Sequence, residues 1–211
     1  MVDATSLHLE NRSEMTVIHF VRHGKVHNPQ QILYGRRPRF RLSSTGRSQA
    51  EKVASCLEIY PIAAVYSSPL LRARQTALPI ASTAGVKLRI SGLLNEVITP
   101  YEGWPLAEFL ELQDIYCGIP DEYEQPQDLI ERARRFVKRI CQQYPNSHIV
   151  AVTHGDIILT IRMWVEQKPL VLQRRMRLNH YPAPGSITSL QADMSGQSLG
   201  LKYWEIEQDF P

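Results

Sequence analysis

Short apolar runs alternate along the chain with longer segments in which apolar residues recur every three or four positions. Three runs have the length and β-branched composition of buried strands: 16–21, 63–67 and 148–153. Four segments have helical spacing; they begin near Ser44, at Pro69 in a predicted first turn, near Leu129 and near Ile157. A short edge strand at 87–90 and a closing hairpin from 186–190 and 199–206 complete the pattern. This alternation predicts an α/β fold with a mostly parallel central sheet flanked by helices.

The same pattern predicts the domain organisation. Residues 1–14 are polar and aperiodic, which indicates a flexible N-terminal tail, and residues 15–211 form one domain. Residues 92–125 are irregular and rich in proline, glutamate and aromatic residues, so we expect a small cap insertion beside a site.

Composition narrows the possible partners. The chain has 211 residues, of which 43% are hydrophobic, and its net charge of +3 is too small to indicate nucleic-acid binding. The three cysteines have no metal-ligand spacing, and their free thiols suit a reducing compartment. No apolar run approaches the roughly 18 residues needed to span a bilayer, and the N-terminus lacks a signal-peptide pattern. We therefore expect a cytoplasmic protein with a small-molecule partner, and the oligomeric state stays open.

Polar side chains gather where the predicted strands end. Arg22 and His23 follow the first strand, His154 follows the strand at 148–153, and Ser67-Ser68-Pro69 ends the second strand with Arg72 one helical turn later. Ligands of parallel sheets bind at the carboxyl ends of the strands. The sequence therefore predicts that these residues meet in one pocket.

The gathered residue types suit phosphoryl transfer without a metal. Arg22 and Arg72 carry planar guanidinium groups that match phosphate oxygens. A neutral His23 can attack phosphorus, and His154 can donate a hydrogen bond, ideally as an imidazolium ion. Glu96 could protonate the leaving oxygen and later activate water, and Glu102 is the competing acid.

Five segments in order resemble the histidine phosphatase superfamily, also called phosphoglycerate mutase-like: VIHFVRHG, LSSTGRSQA, YSSPLLRARQTA, LLNEVITPYEG and VAVTHGD. The resemblance covers roughly residues 16–165. It implies that His23 becomes phosphorylated, that Arg22, Arg72 and His154 bind phosphate, and that Glu96 is the proton donor. The resemblance also makes Asn28 a candidate phosphate-binding residue, although it lies one residue before the usual position of a family asparagine near the phosphate. No cofactor and no metal are implied.

The resemblance leaves three functions open. A phosphatase acting on small phosphate monoesters is favoured, because Val97-Ile98-Thr99-Pro100-Tyr101 replaces the Arg- and Tyr-rich stretch of the phosphoglycerate mutases. The alternatives are a mutase with the same phosphohistidine and a catalytically weak phosphate-binding interaction module.

Two basic clusters remain to be placed. The first contains Arg36, Arg37, Arg39 and Arg41, and the second contains Arg174, Arg175 and Arg177. Charge runs are usually solvated surfaces. The alternative hypothesis places one cluster at the rim of the pocket, where it would favour substrates with a second anionic group.

Overall fold

A six-stranded sheet forms the centre of the computed structural model, which describes residues 15–112, 114–168 and 181–205. Its strands are β1 (Thr16–Arg22), β2 (Ile62–Ser67), β3 (Leu88–Ile90), β4 (His148–Thr153), β5 (Ile187–Ala192) and β6 (Ser198–Trp204). The spatial order is β3-β2-β4-β1-β5-β6. The first four strands in that order are parallel, and β5 and β6 form the antiparallel closing hairpin. The predicted mostly parallel α/β sheet is confirmed.

Helices cover both faces of this sheet. They are α1 (Ser44–Leu57), α2 (Leu71–Thr83), α3 (Leu106–Glu111), α4 (Pro126–Gln143) and α5 (Gly155–Val165). Alternate residues of a strand point to opposite faces. Ile18 and Phe20 of β1 accordingly pack with α4 and α5, whereas Val21 packs with α1 and α2. The central strands are therefore buried on both sides, which is why they are continuous apolar runs in the sequence.

The helix starts follow local hydrogen-bonding rules, with one exception to the prediction. Ser43 caps α1 by accepting a hydrogen bond from the backbone NH of Gly46 at 3.0 Å. Pro69, however, precedes α2 rather than lying in its first turn, because the chain stays extended through Leu70 (ψ 141°). Ser68 directly follows β2, where its NH donates to the carbonyl oxygen of Val152 and its hydroxyl reaches His154.

Residues 92–125 contain little regular structure, namely a 3₁₀ turn at Gly92–Leu94 and the short helix α3. Phe109 and Ile115 of this segment pack against Leu159 and Met163 of α5, so the segment lies over the helix that follows β4. The predicted tail at residues 1–14 and the second basic cluster lie outside the described residues. Within the described ranges, no helix is long and apolar enough to cross a membrane.

Candidate active site

The sheet register brings the predicted residues together. Arg22 pairs with Thr153 across β1 and β4, and Ser67 pairs with Val152 across β2 and β4. The residues that follow these three strand ends are therefore neighbours. The structure brings His23, Ser68 and His154 into one buried cluster, which Arg72 enters from the first turn of α2.

His23 is held in one tautomer by its own loop. Its Nδ1 lies 2.9 Å from the carbonyl oxygen of Gly24, which can only accept, so Nδ1 carries the proton. Nε2 is then the ring nitrogen with the free lone pair, and it accepts a hydrogen bond from Arg72 Nε at 3.1 Å. Burial, and next the charges of Arg72 and Arg22, lower the pKa of His23 well below its ordinary value. The imidazole is therefore neutral at physiological pH.

Two glycines fix the loop that carries His23. A Cβ atom at Gly24 would collide with the carbonyl oxygen of Gly46, and one at Gly46 would collide with that of Lys25. The loop therefore packs directly on the first turn of α1. The NH of Gly24 also donates to Thr76 Oγ1 at 3.0 Å, which joins the loop to α2. These contacts limit the positions that the His23 ring can take.

Arg72 lies at the centre of the cluster and is only 1% exposed. Besides its bond to His23, its Nη2 donates to the carbonyl oxygen of Gly35 at 2.7 Å and lies 3.2 Å from His154 Nδ1. Its guanidinium stacks on the ring of Tyr34, with 4.7 Å to the ring centroid. One cation thus contacts both histidines of the cluster.

His154 is neutral, in contrast to the imidazolium ion that the sequence interpretation favoured. Burial, then the charges of Arg72 and other neighbouring cations, lower its pKa well below the ordinary value. Its Nδ1 accepts from Arg72, and its Nε2 lies 2.8 Å from Ser68 Oγ, to which it donates in this tautomer. The sequence predicts that Arg22 and Arg72 lie near His154, but it does not show that the ring is fully buried, which is the larger cause of the lowered pKa.

Glu96 rather than Glu102 reaches the cluster. Glu96 Oε2 lies 3.4 Å from His154 Nδ1 and 3.7 Å from Arg72 Nη2. Burial, with a smaller contribution from Asp156, raises the pKa of Glu96 to about 7 despite the opposing effect of Arg72. The carboxylate of Glu102 instead accepts a hydrogen bond from the backbone NH of Arg36 and does not line the cavity.

Arg22 is oriented by the segment that follows the undescribed residues 169–180. Its Nη1 donates to the carbonyl oxygen of Pro182, and its guanidinium lies 4.8 Å from the ring centroid of Tyr181. Tyr181 in turn donates to Asp156 Oδ1 at 2.7 Å. The Nε of Arg22 is buried without a partner among the described residues, which leaves a donor available for a phosphate oxygen.

The structure does not bring Asn28 into the cluster. Its amide donates to the carbonyl oxygen of Ile32 at 2.8 Å, and its Oδ1 lies 3.4 Å from the NH of Ile32. Both ends of the side chain therefore stabilise the loop after His23. Asn28 is not among the residues that line the cavity.

A metal fits poorly between the candidate ligands of the cluster. Atoms of His23, Glu96 and His154 that could ligate an ion lie within 4.8 Å of one another. The guanidinium of Arg72 already contacts all three side chains, and its charge would repel a divalent cation. The same arrangement of positive charge favours an anion.

Several residues of the site were absent from the sequence prediction. Tyr34 stacks on Arg72, and Asp156 and Tyr181 line the cavity. Asp156 directly follows the His154-Gly155 pair, so its position was a usable signal. No local pattern in the sequence pointed to Tyr181. Its hydroxyl packs so closely on Gly155 in the folded chain that a Cβ atom at this glycine would collide with it.

Arg36 of the first basic cluster is not free to bind a substrate at the rim of the pocket. Its Nε donates to the carbonyl oxygen of Glu96 at 2.6 Å, and its Nη2 binds Glu124 Oε2 at 2.9 Å. Arg36 therefore fixes the Glu96 loop. The hypothesis that this cluster binds a second anionic group of the substrate is not supported at Arg36.

Comparison with known proteins identifies the family. The sequence model of the histidine phosphatase superfamily (branch 1) matches residues 18–205, so the chain belongs to this superfamily. The chain is 34% identical over 190 residues to the uncharacterised Mycobacterium tuberculosis protein Rv0525, covering 85% of this chain and 92% of that protein. It is 30% identical over 155 residues to the uncharacterised phosphatase PhoE of Bacillus subtilis, covering 68% and 74%.

The fold also agrees with solved structures. The mycobacterial glucosyl-3-phosphoglycerate phosphatase Rv2419c superposes with a TM-score of 0.72, covering 90% of this chain and 97% of that one at 21% identity. At this identity the likeness shows the fold alone. Relatives named as phosphatases make a phosphatase function plausible for this chain.

Proposed function

We propose that the chain is a metal-independent phosphatase that hydrolyses phosphate monoesters through a phosphohistidine intermediate on His23. The observation that carries this proposal is the fixed tautomer of His23. Its Nδ1–H is bound to Gly24, its Nε2 lone pair points to Arg72, and its pKa is lowered, so the ring is a neutral nucleophile.

In the first step, Nε2 of His23 attacks phosphorus and the bond from phosphorus to the ester oxygen breaks. Arg22 and Arg72 bind the phosphoryl oxygens, which carry the charge of the transition state. Glu96, whose pKa of about 7 leaves it substantially protonated, gives its proton to the departing alcohol. His154, which donates to Ser68 and accepts from Arg72, positions the Arg72 guanidinium beside the phosphoryl group.

In the second step, water attacks the phosphohistidine. The carboxylate of Glu96 takes a proton from that water, the nitrogen–phosphorus bond breaks, and inorganic phosphate leaves. Glu96 is then protonated again and His23 is again neutral, so the cycle closes without any cofactor.

The direct test measures phosphate release from a panel of monoesters in the presence of EDTA. We expect wild-type turnover to survive the chelator and His23→Ala to lose at least about 10³-fold in kcat/KM, because the nucleophile is gone. His27→Ala is the matched control, since His27 is an exposed histidine in the same loop region and does not line the cavity.

Two results would contradict the proposal. Substantial turnover by His23→Ala would show that another group attacks phosphorus. No hydrolysis by the wild type, combined with phosphoryl transfer between two positions of a substrate, would instead identify the mutase alternative.

A further inference from the structure

The cavity beside His23 is polar at the strand ends and mostly apolar along its other walls. His23 and Arg22 form its floor at the strand ends. The other walls come largely from the cap segment and are mostly apolar. Six apolar side chains of residues 97–119 line the cavity: Val97, Ile98, Leu106, Phe109, Ile115 and Ile119. A group attached to a bound phosphate would therefore leave the cationic floor and contact hydrocarbon.

The described walls offer no free cation for a second anionic group. Apart from Arg22 and His23 at the floor, the titratable side chains that line the cavity include the acids Glu96, Glu124 and Asp156. The adjacent Arg36 is already bound to Glu124 and to a backbone carbonyl. A carboxylate or second phosphate placed against these walls would lose hydration without gaining a counterion.

Tyr116 is a further part of the cavity wall that carries no charge. This residue lines the cavity, and its hydroxyl is buried without a partner among the described residues. Burial raises the pKa of Tyr116 far above its ordinary value, and the charges of Asp156, Glu96 and Glu124 raise it further. The hydroxyl therefore stays neutral and adds no charge to the wall of the cavity.

We infer that the substrate is the phosphate monoester of an apolar alcohol, alkyl or aryl, with no second anionic group near the phosphate. The inference rests on the proposed function for the ester bond, but the selectivity of the pocket for an apolar substituent is separate from turnover. It predicts discrimination against carboxylated esters.

Binding of alkylphosphonates tests the inference without requiring hydrolysis, because their carbon–phosphorus bond is not cleaved by this mechanism. Calorimetry would compare ethyl-, butyl- and hexylphosphonate, with competition by inorganic phosphate to locate the site. We expect affinity to rise by up to about fourfold for each added methylene that is buried. Affinity that is flat or falls with chain length would overturn the inference.

A matched pair of ligands tests the effect of charge. 6-Phosphonohexanoate has the same chain length as hexylphosphonate but ends in a carboxylate instead of a methyl group. We expect it to bind at least about tenfold more weakly, because its carboxylate meets apolar and acidic walls. Tighter binding of the carboxylated ligand would overturn the inference.

A matched pair of variants tests the wall itself. Ile98→Thr should lower the ratio of hexyl- to ethylphosphonate affinity about three- to fourfold, since the ethyl branch of the Ile98 side chain is replaced by a hydroxyl. Ile59→Thr is the same change at a site that is 76% exposed and outside the cavity, and it should leave the ratio unchanged. An unaltered ratio in Ile98→Thr would contradict the assignment of this wall.

The inference and the proposed function fail in different ways. Affinity that grows with chain length in a protein that hydrolyses no ester would refute the phosphatase and keep the ligand class. Hydrolysis that favours carboxylated esters would refute the ligand class and keep the phosphatase.

Discussion

A single hydrogen bond determines the chemistry of His23, since its bond to the Gly24 carbonyl fixes the proton on Nδ1. The sequence shows a histidine at a strand end, but it does not show a tautomer or a protonation state. The protonation state of Glu96 also depends on its surroundings, because burial outweighs the attraction of Arg72 and keeps the carboxyl partly protonated near neutral pH. The pH dependence of turnover should follow from these two residues.

Glu96→Gln should slow alkyl phosphates more than aryl phosphates, because phenolate leaves without a proton. In the wild type, alkyl turnover should fall as pH rises through about 7, where Glu96 loses the proton that it donates in the proposed mechanism. Below pH 7 that proton is present, and the lowered pKa of His23 keeps the nucleophile neutral. The measurement is kcat against pH for one alkyl and one aryl ester.

Glu102→Gln serves as the control for this profile. Glu102 accepts a backbone hydrogen bond from Arg36 away from the cavity, so the decline above pH 7 should persist in that variant. If the decline disappeared in Glu102→Gln but persisted in Glu96→Gln, the acid would be misassigned.

At the scale of elements, Glu124 joins three segments around the site. Its carboxylate binds Arg36 at 2.9 Å, Arg132 of α4 at 2.8 Å and the backbone NH of Ile98 at 2.7 Å. Arg132 also donates to the carbonyl oxygen of Asn95 at 2.6 Å, beside Glu96. The loop that carries Glu96 is therefore held to α4 through one acidic side chain.

Glu124→Ala should lower the free energy of unfolding by about 2 kcal/mol, because it leaves two partly buried arginines without their shared counterion. The value is below that of a fully buried pair, since Arg36 is 27% exposed. Urea unfolding at neutral pH measures it. Glu122→Ala removes a nearby exposed carboxylate and should change the stability by less than about 0.5 kcal/mol. Equal effects of the two substitutions would exclude a special role for Glu124.

The elements differ in how far the sequence predicts them. Apolar runs locate β1, β2 and β4, because buried parallel strands need them, and the strand ends then bring Arg22, His23 and His154 together. The pattern of apolar residues does not predict contacts between segments that are distant in the sequence. The bond of Asn28 to Ile32 and the packing of Tyr181 on Gly155 depend on loop conformations that no periodicity encodes. The predicted start of α2 at Pro69 failed for the same reason.

At the scale of the whole molecule, the sheet carries a second histidine cluster away from the strand ends that form the site. His19 Nε2 lies 3.0 Å from His148 Nδ1, and His19 Nδ1 lies 2.7 Å from Ser189 Oγ. The rings of Tyr60 and His148 stack at 4.9 Å. A hydrogen bond between two imidazoles needs one donor and one acceptor, so both rings cannot be protonated without breaking it.

This pair should make stability fall in acid. Burial, then the charge of His148, lower the pKa of His19 to about 3, whereas the unfolded chain binds a proton near pH 6.5. Because the folded value is the lower one, the contribution to stability is full above pH 6.5 and is lost as pH falls toward 3. Between pH 7 and pH 4.5 the loss from His19 is about 2–3 kcal/mol.

Urea unfolding at pH 7 and pH 4.5 checks this expectation. His19→Gln should be less stable than the wild type at pH 7 but should lose about 2–3 kcal/mol less between the two pH values. His27→Gln, at an exposed histidine, should lose as much as the wild type. A parallel loss in all three proteins would assign the acid sensitivity to other groups.

The hydrogen bond from Arg72 to His23 also determines which reagents can reach the nucleophile. In the free protein, the lone pair of Nε2 is engaged by the guanidinium. A neutral electrophile has no means of drawing that cation away, whereas the oxygens of a phosphate ester attract it. In the proposed mechanism, binding a phosphate ester thus uncovers the nitrogen that attacks it, and the free protein is shielded from adventitious alkylation and acylation.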